Sequence, residues 1–287
     1  MKTLTFINSL GAKLEFTNHA PYLLQKFNET TNVNVYNSKD MNQNGKKYLG
    51  NTLDIKDITL QVAIIAANKE NLINYRNKIN KIFNPTLDEG WLNYKDDIKE
   101  WKVKCISNKL PFPTSINNRS NTCLISLTAN NPFWLDLLES KKEIALWKGD
   151  FSFPLKITSS GIKFGHREPS LIVNVNNSGD VECGMRVAFK ALATLTNPSI
   201  LNVNTQEYIK INKTMVAGEV ISVSTYFGDK KINSILNGVT TNAINYIDFQ
   251  STFLQLAVGD NLFRYNSDTN LDNLEVSIYY QPQYLGV

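Results

Sequence analysis

The side chains able to do covalent, acid–base or metal chemistry are few and scattered. The chain has two histidines, His19 and His166, and three cysteines, Cys105, Cys123 and Cys183. A zinc site gathers four N or S donors from closely spaced pairs, and no His or Cys here stands at such a spacing. Widely separated cysteines in odd number form neither a disulfide framework nor a metal knuckle, so reduced, buried thiols are expected. Cys105 and Cys123 fall on the two arms of one proposed hairpin and could be near neighbours. Two acid pairs, Asp88-Glu89 and Asp96-Asp97, are the candidates for glycosidase-like general acid–base work, which needs two carboxyl groups facing each other across a bond. Both pairs stand at turns, where acidic side chains meet backbone and water. No Gly-x-Ser-x-Gly elbow, phosphate-cradling glycine loop or dinucleotide fingerprint is present, and Gly161-Ile162-Lys163-Phe164-Gly165 reads as a plain loop. The residues therefore predict no catalytic site, no cofactor and no metal.

The elements that would have to hold any site come next. At 287 residues, 42% hydrophobic and 20% charged, the chain is an ordinary globular sequence of two-domain size. Its net charge of +4 is spread along the whole length. With no basic run and no helix-turn-helix pattern, nucleic acid is not an expected partner. The longest apolar run, Val62 to Ala67, is far too short to span a bilayer. The opening residues alternate with polar ones and lack the apolar core of a signal peptide, so membrane insertion is not expected and a cytoplasmic place of synthesis is.

The first part reads as strands with one helix. Leu4–Asn8 and Lys13–Phe16 alternate around a Ser9–Ala12 turn and predict an opening hairpin. Short strands are expected at Leu23–Phe27 and Val33–Tyr36, then a polar surface loop over Asn37–Leu49. Thr52–Ile65 keeps a period of two on each side of a one-residue slip, predicting a long strand with a bulge near Asp57. Asn68 is an N-cap, and Leu72, Ile73, Arg76, Ile79, Ile82 and Phe83 recur at helical spacing until Asn84-Pro85 stops the helix. Gly90–Tyr94 and Glu100–Ile106 predict a second hairpin, and Asn121–Ala129 a return strand. Between them Asn108–Ile116 carries Leu110, Phe112 and Ile116 among two prolines, so it is an edge or a projecting loop. Apolar side chains projecting there call for cover, which makes Leu110, Phe112 and Ile116 the candidate subunit interface.

The Asn130-Asn131-Pro132-Phe133-Trp134 turn divides the chain, with a linker over Leu135–Gly149. Beyond it only short strands are predicted, at a sandwich cadence. They are Leu155–Thr158, Leu171–Asn176, Met185–Ala191, Ser199–Asn204, Tyr208–Ile211, Glu219–Tyr226, Lys230–Leu236, Phe253–Leu256, Asn261–Tyr265 and Leu274–Tyr280. Two-residue turns are expected at Gly228-Asp229 and Asn237-Gly238. The expected fold is mainly β in two domains. Residues 1–140 form an α+β unit (a β-sandwich with one helix and a β-hairpin), and residues 145–287 a β-sandwich. Tyrosines such as Tyr226, Tyr246 and Tyr265 are the aromatics that could stack on a sugar, although alternating strand aromatics usually serve as core.

A mixed strand–helix–strand half ending in Thr128-Ala129-Asn130-Asn131-Pro132-Phe133-Trp134 is followed by an all-β half. That half carries Phe253-Leu254-Gln255-Leu256-Ala257-Val258-Gly259-Asp260-Asn261 and closes with Tyr284-Leu285-Gly286-Val287. In this order the chain resembles the distal tail (Dit) proteins of the siphovirus tail component family, from long-tailed phages of Gram-positive hosts. Where that family often has Asn-x-Gly-Thr and a following Pro, this chain has Asn177-Ser178-Gly179-Asp180 and Val181-Glu182-Cys183-Gly184. The resemblance implies a non-enzymatic virion protein at the tail tip, assembled in the host bacterial cytoplasm. It implies a homo-hexameric ring whose first domain is the belt, stacked between the tail-tube protein and the tail-associated hub protein. The second domain would be a galectin- or carbohydrate-binding-module-like jelly roll that meets a receptor-binding protein or a host surface glycan. The alternative from another class is a monomeric carbohydrate-binding adhesin module.

Overall fold

The computed structural model describes residues 2–144, 147–149, 165–167 and 172–287; the expected strand Leu155–Thr158 and most of the Gly161–Gly165 loop lie outside them. The chain divides into two compact units, Met1–Leu137 with Tyr284–Val287, and Leu138–Gln283. The second domain is expected to run to Val287, whereas Tyr284–Val287 fold with the first unit.

In the first unit the opening hairpin forms as expected from β1 (Thr3–Ile7) and β2 (Lys13–Phe16). The two short strands expected next are one strand, β3 (Tyr22–Ser38), laddered against β4 (Lys47–Ile65). The two ends of the predicted Asn37–Leu49 loop, up to Ser38 and from Lys47, are thus strand, because backbone pairing needs no apolar side chain. The ladder breaks where Asp54 and Ile55 stand opposite Asn32, while Asp57 stays in regular register with both neighbours. The bulge therefore sits two residues earlier than the apolar pattern indicated. With no break between them, Lys56 stays in alternation with Ile58, Leu60, Val62 and Ile64 and shares their inward face.

The helix α1 (Lys69–Ile82) is capped by Asn68, whose Oδ1 accepts from Asn71 N at 2.8 Å. It buries Leu72, Ile79 and Ile82 and leaves Ile73 exposed. Phe83 caps its end and stacks on Phe6 at 4.5 Å, with Phe16 at 5.9 Å. The remaining strands are β5 (Gly90–Lys95), β6 (Glu100–Ser107), β7 (Thr114–Asn117), β8 (Ser120–Ala129) and β9 (Trp134–Asp136). The sheet runs β2-β1-β5-β6-β8-β4-β3. β6 pairs with β5 through Cys105 and passes to β8 at Ile106–Ser107, so both halves of the sheet face one core.

The second unit is a sandwich. One sheet takes the order β10 (Ser140–Ile144), β23 (Leu274–Tyr280), β14 (Met185–Ala191), β19 (Val220–Ser224), β20 (Lys231–Leu236), β21 (Val239–Asn242). The other takes β13 (Ile172–Asn177), β22 (Gly259–Asn266), β16 (Ser199–Asn202), β17 (Tyr208–Lys210). Small pairs β11 (Trp147–Gly149) with β12 (Gly165–Arg167), and β15 (Leu195–Thr196) with β18 (Thr214–Met215), complete the unit, and β24 (Gln283–Tyr284) follows β23. Val187, Phe189, Ile221, Val223, Phe263 and Tyr265 are among the residues of its single core.

Three expectations are corrected here. Ser140–Ile144, expected as linker, is a strand paired with β23; a Lys-rich edge strand that buries only Ile144 has little apolar signal. Phe253–Leu256 is extended but joins no ladder, holding only a bridge from Leu256 to Cys183. The Gly228-Asp229 turn is wider than two residues: Ser224 pairs with Lys231, and Thr225 turns away to exchange hydrogen bonds with Met185. Asn237-Gly238 is the expected two-residue turn, with both φ angles positive, 50° and 79°. No helix among the described residues is long and apolar enough to cross a membrane.

Candidate assembly interface

The residues with chemical potential are not brought together. Burial pushes the Cys105 and Cys183 thiols up to about 12 and the Cys123 thiol up to about 11, so all three stay protonated. Cys105 and Cys123 are not neighbours. The β6–β8 register sets them about 20 Å apart along the ladder, at roughly 3.3 Å per residue. His19 is exposed beyond β2, and His166 lies on β12. Among the described residues no cluster of His, Cys, Asp and Glu could hold a metal.

The acid pairs serve local structure. A hydrogen bond from Lys104, 3.0 Å away, holds the Glu89 carboxyl below its usual range, and Asn130 donates to it at 2.9 Å. Asp96 accepts from the Asp97 backbone at 2.8 Å inside the β5–β6 turn.

What the first unit does present is uncovered apolar surface on backbone that extends from the sheet. β8 accompanies β4 only from Lys56 onward. Beyond that point β3 and β4 continue as a two-stranded arm, about 25 Å long at some 3.3 Å per residue. Every residue from Asn32 to Leu49 is exposed, including Val33, Val35, Tyr36, Tyr48 and Leu49, with Met41 at the tip 94% exposed. A two-stranded ribbon with no third strand is marginal in water, and its free edges invite pairing.

The predicted interface residues form a second such surface. Leu110 and Phe112 project from the loop before β7, and Ile116 from β7 itself; all three are exposed, Phe112 at 79%. Pro111 and Pro113 are buried beside them and fix the loop to the unit. The arm was missed in the sequence, although Val33-x-Val35 and Tyr48-Leu49 flank a Gly45 turn in the manner of a hairpin.

The arm is rooted in a buried polar node. Lys56 Nζ donates to Glu29 Oε2 at 3.1 Å and to the Leu285 carbonyl at 2.7 Å, and lies 5.8 Å from the Trp134 ring centre. Trp134 Nε1 donates to the same Glu29 oxygen at 2.7 Å, and Val287 N to Glu29 Oε1 at 3.3 Å. Tyr284 accepts from Lys99 and packs edge-on against Trp101. The node thus joins the arm's base, the Asn131-Pro132-Phe133-Trp134 turn and Tyr284–Val287 inside one unit.

A two-unit β protein with this arm has the makings of an assembly component, and comparison with known proteins identifies which kind. The domain described as "Phage tail protein RIFT-related domain" matches residues 9–129, and "Siphovirus-type tail component, C-terminal domain" matches residues 178–284. No curated protein sequence matches the chain. Among solved structures, the chain is similar to Dit (gp 19.1) of phage SPP1, described as a paradigm of the hub adsorption apparatus in phages infecting Gram-positive hosts. The TM-score is 0.70 at 10% identity, over 99% of this chain and 100% of that one. It is also similar to a chain of the phage P2 baseplate in its activated conformation with Ca, with TM-score 0.52 and 10% identity, over 100% and 99% of the two chains. The same baseplate with Sr gives the same TM-score and identity. The chain belongs to the siphovirus-type distal tail (Dit) protein family.

Proposed function

We propose that the chain is a non-catalytic ring subunit of the phage tail tip: six copies close through the first unit and join the tail tube to the baseplate that carries host adhesion. Family membership makes it a structural component of the tail hub or baseplate. The observation that carries the finer reading is the arm, a paired ribbon with apolar side chains on an element that has no cover of its own. A ring subunit needs such surfaces, which become buried only on closure. Leu110, Phe112 and Ile116 supply a second patch on the same unit. The tail-tube protein and the tail-associated hub protein would stack on its two sides, and a receptor-binding protein would attach through the second unit. The particle would assemble in the host cytoplasm and end at the virion tail tip.

Light scattering with negative-stain imaging tests this, on the full chain alone and mixed with the tail-tube protein of the same phage. Six-fold rings are expected, and Val33→Ser with Tyr48→Ser, or removal of 108–118, should shift the mass toward monomer with each subunit still folded. A monomer at every concentration, with and without the tube protein, would refute the ring. It would leave the alternative, a monomeric carbohydrate-binding adhesin module.

A further inference from the structure

The outer face of the four-stranded sheet in the second unit holds a shallow cavity of about 300 Å³. Its lining is two adjacent cross-strand rows. Arg264 on β22 faces Leu201 on β16, which faces Tyr208 on β17; beside them Asn266 faces Ser199, which faces Lys210. Strand alternation explains the row composition: Phe263, Tyr265, Ile200 and Ile209 point into the core, so the residues between them must point out.

Several of these groups are fixed in place before any ligand arrives. The Tyr208 hydroxyl donates to Asp248 Oδ1 at 3.2 Å and Gln250 Oε1 at 3.3 Å. Asp248 also accepts from Asn212 Nδ2 at 3.2 Å. Lys210 Nζ reaches Asp268 Oδ2 at 3.2 Å, and Asn197 Nδ2 holds the same oxygen at 2.8 Å. Phe249, on the loop between Asp248 and Gln250, is fully exposed. Side chains held this way lose little freedom when a ligand binds.

Arg264 is the exception to this internal pairing. The acids around the face are engaged elsewhere, Asp268 by Lys210, Asp248 by Tyr208 and Asn212, and Asp260 by Asn176. Among the described residues no carboxylate pairs with Arg264, and its cross-strand neighbours Ile172 and Leu201 are apolar. A guanidinium standing free among pre-paired polar groups is matched by an oxyanion that can take its forked donors.

The rest of the lining selects the remainder of the ligand. β16 and β22 are each paired on both sides, and the outer side of β17 is bonded to Asp248, Ser251 and Thr252, so no strand edge is open here for an incoming peptide. Leu201 and the Tyr208 ring are the only apolar surfaces in the lining, and the rest is hydroxyl, amide and cation. That is a surface for a hydroxyl-rich ring with one flat C–H face.

We propose that this sheet face binds an anionic saccharide, with its ring against Tyr208 and Leu201, its hydroxyls on Ser199, Asn266 and Lys210, and its carboxylate or phosphate on Arg264. The proposal concerns the second unit alone and stands whether or not the ring forms.

Calorimetric titration of the full chain decides it, using an oligogalacturonate and a 6-phosphomannosyl oligosaccharide as the two anionic probes. A neutral maltooligosaccharide and an oligoglutamate of similar length are the controls. At least one anionic sugar should bind, and which of the two binds more tightly identifies the oxyanion. Both controls should bind about tenfold more weakly or worse, the loss expected when a charge-assisted pair or the ring contact is missing. Arg264→Ala and Tyr208→Ala should each weaken the anionic sugar by a similar factor with the unfolding midpoint unchanged. Absence of saturable binding of either anionic sugar up to about 10 mM, a range that includes very weak sites, would overturn the proposal. So would equal affinity for a control, or unchanged affinity in Arg264→Ala.

Discussion

Replacing Glu29 by Gln tests the node that roots the arm. The substitution keeps the shape and an acceptor for Trp134 Nε1 but removes the one carboxylate bonded to Lys56 among the described residues. The Lys56 side chain is 1% exposed and that of Glu29 22%, so the ammonium cannot turn to water while the carboxylate is partly screened. Breaking a fully buried ion pair costs about 3–5 kcal/mol, and the partial exposure of Glu29 puts this one near the lower end, about 2–3 kcal/mol. For a unit of this size that is roughly 1–2 M in urea midpoint, or about 7–10 °C in Tm. The assay is urea unfolding of the full chain followed by tryptophan emission, since three of the four tryptophans, Trp91, Trp101 and Trp134, lie in the first unit. The double variant Glu29→Leu with Lys56→Met removes both charges and should recover much of the loss, with a coupling above about 1 kcal/mol. A loss under about 0.5 kcal/mol for Glu29→Gln, within the scatter of surface substitutions, would refute the argument. So would a double variant no better than the sum of its singles.

Removing 284–287 takes away the Leu285 carbonyl, Val287 N and Tyr284, and should lower the same urea transition while leaving that of the second unit in place. Asn68→Ala deletes the cap of α1 and should cost about 1 kcal/mol by the same measurement. In the second unit, burial works to raise the Glu219 carboxyl, but hydrogen bonds from Lys213, Ser234 and the Val216 amide outweigh it and hold it below the usual range. A depressed folded value means that its contribution is complete above the unfolded value and is lost as pH falls through the folded one. Glu219→Gln should therefore lower stability at pH 7 and flatten its acid dependence below about pH 4.5, near the ordinary carboxylate value, as read by thermal scans from neutral to acid pH. A second-unit fragment should begin at Leu138, because one starting at 145 lacks β10 and its buried Ile144; light scattering and thermal unfolding of 138–283 and 145–287 should show the shorter one less stable or aggregated.

Much of the fold was legible in local pattern. The opening hairpin, α1 with its Asn68 cap and the Asn237-Gly238 turn follow from spacing and turn chemistry over a few residues. So do β14 and β23, whose alternation is strict because one face is buried. The failures have a common cause. Ser140–Ile144 and the outer parts of β3 and β4 are strands held by backbone pairing, with little burial to mark them. Phe253–Leu256 shows the reverse, an apolar run buried without a ladder.

The sequence alone determined the class of fold, two mainly β units with one helix, and the absence of any clustered His/Cys motif, because periodicity and spacing are written locally. It also marked Leu110, Phe112 and Ile116 as exposed apolar side chains, since Pro111 and Pro113 keep their stretch out of a central strand. Only the tertiary structure decided the rest. The register break falls before Lys56, so Lys56 keeps the alternation of Ile58 and Leu60 and faces inward to meet Glu29, Trp134 and Leu285, partners up to 229 positions away in sequence. The pairing of β16 with β17 and β22 likewise sets Arg264 and Tyr208 on one face. Both depend on which strands pair and in what register, and that is fixed by the burial of whole faces, not by any short stretch of residues.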